Sequence, residues 1–409
     1  MAAITYLAYD LMSGSMIDEL PLTGVKWSQR LNAAGTFEGK LQLSDPRVQR
    51  LDWRDATRPA RTALYVDVGG SLVWGGIIWA RDYDATSRVL TVRGSEFWSY
   101  FASRVQARDY TSPPGTSNWP TNPADPLLVA AQLVLDAVAV PGSALAGLNV
   151  SYNGYGSASA YLASSTAVPQ ANYVSPSYPM SQLQTIDSMV SMLAMMAYGF
   201  GFDYAIDVAY SGGPGSQPVR TLTLSYPRRG RSASQTDFVV DVSGAVLQWS
   251  YTEDGTKAAN RVWETATGSG GQATDASWSQ ATSAGYPLLE AIDSNSNLTT
   301  VSGSAPGPLL SALADAALAR AAYPPAGLTV TVDMFGDPLV GDYLCGDDIR
   351  VVVPAQTAVG SVYDERFPNG SDSYWRIVAI DVTVPEQGIA TARLTCDMPP
   401  LSFPVQAPL

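Results

Sequence analysis

Apolar and polar residues alternate through much of the first hundred positions, the pattern of antiparallel strands with one buried face. Ala63–Val68 alternates, Gly69-Gly70 supplies a turn, and Leu72–Tyr83 continues as a long strand. Asp84–Ser87 turns again and Arg88–Arg93 continues as a strand. Gly24–Arg30 and Thr36–Leu43 are expected strands around an Asn32–Gly35 turn, and Ser95–Arg104 closes the region as a short helix. Gly75-Gly76 inside the long strand predicts a bulge or bend.

Beyond residue 105 the pattern changes. Residues 106–180 are rich in Pro, Ser and Tyr, with one expected helix at Pro126–Ala139. Residues 181–326 are mixed α/β. There Ser181–Ala197 reads as an amphipathic helix capped by Ser181, with Leu183, Ile186, Val190 and Leu193 on one stripe. Met189, Met192, Met195 and Met196 thicken that stripe and read as core packing. Strands are expected at Phe202–Val208 and Arg220–Tyr226, a turn at Gly268–Gly271, and a helix at Pro308–Ala322 started by its proline. Residues 327–409 return to strands: Leu328–Met334, Ile349–Val353, Tyr374–Val384 and Ile389–Cys396. The class is β-rich α+β, with strand-rich segments 1–105 and 327–409 at the two ends.

Composition narrows the chemistry. Charged residues are 15% of the 409 and the net charge is −13, which opposes wrapping of nucleic acid. The first 110 residues are nearly neutral, so the acidic excess lies in the remainder. The chain contains no histidine, which removes Ser-His-Asp and Cys-His catalysis and His-ligated zinc sites. No apolar run is long enough to span a membrane, and no export signal is indicated. Two cysteines, Cys345 and Cys396, read as small buried side chains with reduced thiols.

Several clusters invite a functional reading. Asp342, Asp347 and Asp348 crowd one turn, but their spacing is not that of an EF-hand loop, so they read as solvated turn carboxylates. Asp364 and Glu365 are adjacent in a loop, a poor arrangement for two carboxylates attacking one glycosidic bond. Arg228-Arg229-Gly230-Arg231 is a basic cluster for a phosphate or an acidic surface, or a solvated loop. Trp74, Trp79, Trp98, Tyr100 and Phe101 read as buried core before a carbohydrate platform. None of these forms an active site: no catalytic, cofactor-binding or metal-ligating residue and no cofactor is assigned, and an enzyme is not expected.

Several stretches resemble the tail-tip hub proteins of long-tailed phages infecting actinobacteria, relatives of baseplate hub proteins. These are GVKWSQRLNAAGTFEGKLQLSDPRV (Gly24–Val48), ALYVDVGGSLVWGGIIWARDYDATSRVLTVRGSEFWSYFASR (Ala63–Arg104) and TEDGTKAANRVWETATGSGG (Thr252–Gly271). YPLLEAI (Tyr286–Ile292), ALARAAYPPAGLTVTV (Ala317–Val332), GDDIRVVV (Gly346–Val353) and YWRIVAIDVTV (Tyr374–Val384) follow in order. The resemblance implies two small tail-tube-like β-barrel domains, at residues 1–105 and 327–409, with inserted mixed α/β domains between them. It implies a homotrimeric ring that adapts the sixfold tail tube to the threefold tip and lines the DNA exit channel. The implied neighbours are distal tail and tail-tube proteins, the tape measure protein and tip or fibre proteins. The implied location is the virion tail tip, assembled in the host cytoplasm, with genome DNA passing unbound. Some relatives carry a C-terminal hydrolase or receptor-binding module, which is not expected after Leu409. The alternatives are a receptor- or carbohydrate-binding tip protein, with Trp119 as the candidate contact, and a carboxylate-based cell-wall hydrolase.

Overall fold

The computed structural model describes residues 3–110, 125–170, 178, 180–196, 201–241, 246–267, 273–280, 287–299, 314, 315, 317, 318, 321, 326–355 and 367–397. The N-terminal strands are β1 (Ile4–Asp10), β2 (Met16–Glu19), β3 (Thr23–Arg30), β4 (Thr36–Gln42), β5 (Thr62–Val68), β6 (Ser71–Asp84) and β7 (Val89–Glu96). They pair antiparallel in the order β3-β4-β7-β6-β5-β1-β2. The meander read from the alternation is present, and the expected closing helix is a 3₁₀ helix at Phe97–Ser103.

The glycine pair in β6 has a different cause from a bulge. Register shifts lie on either side of it, between the partners of Leu72 and Trp74 and between Ile78 and Ala80. The glycines are there because neighbours come too close for a side chain. A Cβ on Gly76 would sit 2.2 Å from the Ser95 carbonyl oxygen, and one on Gly75 2.7 Å from Val208.

The middle of the chain contributes β8 (Asn149–Tyr152), β9 (Asp203–Tyr210) and β10 (Pro218–Ser225), a small sheet ordered β8-β10-β9. The helix Pro126–Ala139 is capped by Asp125, whose carboxylate accepts the Leu127 N–H at 2.8 Å. The second expected helix starts later than Ser181, at Ile186. Residues 184–186 are drawn into a ladder with Arg104–Gln106, where Gln106 N donates to Gln184 O and Ile186 N to Arg104 O. That pairing holds the backbone extended, so Leu183 points into solvent at a positive φ and helix begins only beyond it. Met189 is fully buried and Met192 partly so, as core residues; the Met195 and Met196 side chains lie outside the described residues.

Next come β11 (Val239–Asp241), β12 (Val246–Glu253), β13 (Arg261–Thr267), β14 (Ala273–Gln280) and β15 (Glu290–Thr299), with β14-β13-β15 forming a separate sheet. The Gly268–Gly271 turn lies outside the described residues. So does most of the expected helix after Pro308, of which Ala314, Asp315, Ala317, Leu318 and Ala321 are helical. The last strands are β16 (Ala326–Asp333), β17 (Asp348–Val353), β18 (Ser371–Val384) and β19 (Thr391–Asp397).

The C-terminal strands repeat the N-terminal arrangement. Their order, β12-β16-β19-β18-β17, matches β3-β4-β7-β6-β5 position for position, and all these pairs are antiparallel. Both groups centre on a 14-residue strand, β6 or β18. That strand pairs with one neighbour along its first half, shifts register near its middle, and pairs with another along its second half. The shifts fall between Ile78 and Ala80 and between Ile377 and Ala379, so these residues are equivalent.

Closed barrels are not found among the described residues. Instead β18 pairs antiparallel with β3, from Ala379 opposite Arg30 to Val384 opposite Val25, and one 13-stranded sheet runs through both ends. A single apolar core lies along it, holding Trp27, Phe37 and Trp74 from one end and Trp375, Ile380 and Val382 from the other. A second core, on the other face of the N-terminal strands, packs Tyr65, Phe97 and Trp98 against the two middle helices and the β8-β10-β9 sheet.

Candidate functional site

The N-terminal sheet, the C-terminal sheet and β9 meet at a polar junction. Asn32 occupies the β3–β4 turn with φ 57°, a left-handed conformation that asparagine tolerates better than most residues. Its amide donates to Asp203 Oδ1 at 2.8 Å, and its side-chain oxygen accepts the Tyr204 N–H at 2.9 Å. Asp203 also accepts the Arg229 N–H at 2.7 Å and an ion pair from Arg376. One buried carboxylate at the start of β9 thus binds the N-terminal turn, the loop after β10 and β18. Arg229 continues the network to Asp207 at 2.6 Å, whose other oxygen accepts from the Thr223 hydroxyl.

The basic cluster, left open from sequence between an anion site and a solvated loop, and the aspartate turn, read as solvated, face each other here. Arg228 pairs with Asp348 at 2.6 Å and Arg231 with Asp347 at 2.7 Å, and both aspartates are 2% exposed. Buried carboxylates without cations would cost several kcal/mol each, so burial and pairing come together. The backbones touch as well. A Cβ on Gly230 would lie 2.3 Å from Gly346 C, and one on Gly346, at φ 106°, would lie 2.8 Å from Arg229 O. Asp342 contributes its carbonyl to Arg231 and its carboxylate to the Leu339 N–H. These aspartates therefore clamp two segments together.

A cavity of about 90 Å³ lies beside this network, lined by Trp74, Glu96, Tyr204, Asp207, Arg229 and Cys345 among others. Glu96 Oε2 accepts the Gly35 N–H at 2.5 Å. Burial pushes its carboxyl up to about 8, with the Gly35 bond and Arg229 pulling the other way and Asp207 adding to the rise. Burial also drives the Cys345 thiol up to about 12 and the Cys396 thiol higher, so both are inert, buried and free.

The remaining sequence candidates sort simply. Trp74, Trp98 and Phe101 are buried, and Trp79 and Tyr100 pack partly buried against the second core. Asp364, Glu365 and Trp119 lie outside the described residues. Sequence reading missed Asn32, Glu96, Asp203, Asp207 and Arg376. Only Asn32 carried a signal, since it stands in a recognised turn.

The arrangement ties elements together: its cations and carboxylates pair across them, and Arg228 Nε and Arg229 Nη1 are buried without a hydrogen-bond partner among the described residues. The other open feature is the sheet edge. Among the described residues β12 pairs only with β16, and β6 beyond Ile78 lacks a partner on the edge that β5 occupies earlier.

No family model and no curated protein matches the sequence. Solved structures match the fold over nearly its whole length. A tail protein from Neisseria meningitidis matches with TM-score 0.57 and 12% identity, covering 97% of this chain and 96% of its own. A 43 kDa prophage tail protein from Shewanella oneidensis matches at 0.56 and 13%, covering 97% and 98%. A prophage tail protein from Listeria monocytogenes matches at 0.51 and 12%, covering 97% and 95%. The chain has the β-rich fold of these tail proteins.

Proposed function

We propose that the protein is the structural hub of a long-tailed phage tail tip, with no enzymatic role. Three copies form a closed ring whose two tail-tube-like units per chain, near residues 1–105 and 327–409, present six similar units to the sixfold tube. The observation that carries this reading is the repeated strand order of the two ends, joined edge to edge by β3 and β18. A chain that carries two copies of one unit side by side converts threefold into sixfold symmetry without further parts. Ring closure also removes open sheet edges, which are otherwise sites of uncontrolled association. The junction around Asp203 supports the same role, because it fixes the two units and the inserted segment against one another.

In this role the ring contacts distal tail, tail-tube, tape measure and tip or fibre proteins in the virion, after assembly in the host cytoplasm. Genome DNA passes through the channel unbound, and the acidic excess discourages sticking. Native mass and a cryo-EM map of the tail tip test this. Three copies around a channel are expected; six copies, or one copy on an outer fibre, would refute it.

A further inference from the structure

Within one chain, the outer edge of β3 is covered by the second half of β18. The repeat gives each of these a counterpart. Alignment through β4 and β16 makes Trp27 equivalent to Tyr251 and Gln29 to Glu253. The shared register shift makes Arg81, Asp82 and Tyr83 equivalent to Ile380, Asp381 and Val382. Both counterpart edges, β12 and Ala80–Asp84, are open among the described residues. Tyr83 is 54% exposed, whereas its equivalent Val382, under β3, is 1% exposed. Leu247, on β12, is 52% exposed.

We infer that β12 of one copy pairs antiparallel with Ala80–Asp84 of a second copy, in the register that β3 and β18 use within the chain. This deepens the hub reading and rests on it. The internal pairs Ile380–Gln29, Asp381–Ser28 and Val382–Trp27 then become Arg81 opposite Glu253, Asp82 opposite Thr252, and Tyr83 opposite Tyr251. Register matters because a one-residue slip turns every side chain to the wrong face. Here it sets an opposite-charge pair and an aromatic pair directly across the joint, both favourable in antiparallel sheet. The internal Arg30–Asp381 ion pair has no counterpart, since Asp254 and Asp82 stand there; Asp82 instead pairs with Arg93 of its own sheet. The two edges are different strands of one chain, so the contact is head-to-tail, and it closes as a ring where the rotation between copies is a third of a turn. Three internal and three intermolecular joints alternate around it.

The test is the full-length Asp82→Cys/Thr252→Cys variant, oxidised and run on non-reducing gels, beside native mass measurement of the unmodified protein. Directly opposed residues lie about 4.5–5.5 Å apart between Cα atoms, within disulfide reach. The offset control Asp82→Cys/Ser250→Cys is about 7–8 Å apart. Expected are three copies by native mass and reductant-sensitive dimers and trimers in the first variant, at least fivefold more than in the control. Wild type stays uncrosslinked because its thiols are buried. Three copies with no cross-link, or with equal or greater cross-linking in the control, would overturn the joint and leave the hub reading standing. A monomer by native mass with no cross-link would overturn both.

Discussion

The two ends of the chain share one strand order but live in different surroundings. Strand β5 is buried at all seven positions: Leu64, Val66 and Val68 face the first core, while Ala63 and Tyr65 face the second. Its C-terminal counterpart, β17, is buried at four of its six positions, with Arg350 and Val352 half-buried. The long strands differ correspondingly. Where β18 has Tyr374 and Trp375, β6 has Gly75 and Gly76, because Val208 of the inserted segment and the Ser95 carbonyl leave no room. The two ends thus keep one strand order, and the inserted segment shapes the unit that it packs against. A repeated topology need not leave a repeated sequence.

The comparison can be broken at its glycines. Gly76→Ala places a Cβ against backbone and should destabilise the fold by on the order of 3 kcal/mol or more. Gly327→Ala in β16, where nothing lies within 4 Å, should be neutral or slightly stabilising. Urea midpoints of the two variants, at unchanged slope, make the measurement; equal losses would contradict the asymmetry.

The junction offers a second contrast. Asp203→Ala strands Arg376 in a buried site, where the two side chains are 13% and 7% exposed, and should cost about 3–5 kcal/mol. Arg350→Ala removes the Asp372 pair, 41% and 51% exposed, and should cost under about 1 kcal/mol. Chemical denaturation of both variants in one buffer decides this.

Glu96 makes the N-terminal unit pH-sensitive. Its carboxyl is raised from 4.5 to about 8 in the folded state, so the native protein keeps a proton that the unfolded chain releases. The resulting stability is fully present below about 4.5, falls as pH rises, and is gone above about 8. Glu96→Gln should flatten that decline and gain on the order of 2 kcal/mol over wild type at pH 8. Thermal melts from pH 5 to 9 should show the curves converging at the acid end; parallel curves would remove Glu96 as the cause.

The smallest effect concerns association. Arg81→Glu and Glu253→Arg should each weaken the ring by roughly 0.5–1 kcal/mol, and the double exchange should restore it. Trimer fractions by native mass at several concentrations give the comparison.

Much of the strand content was legible because a half-buried strand writes its exposure into alternate letters. β3, β4, β6, β7, β16 and β18 were found within a few residues for that reason. β12 was missed, since none of its eight positions is buried and neither face stands out in the letters. At the junction the residue types were visible and their meaning was not. Arg228–Arg231 and Asp347–Asp348 look like two unrelated charge runs until the fold apposes them.

The sequence by itself determined the β-rich class, the absence of histidine chemistry and the positions of the apolar faces, because these depend on local periodicity and composition. Only the tertiary structure decided that the two ends share one sheet order, that β18 closes on β3, and that Arg376 finds Asp203 173 residues away. Hydrogen bonding between strands is made by backbone groups that every residue carries, so the choice of partner leaves little trace in the letters. That choice belongs to the packing of the whole chain.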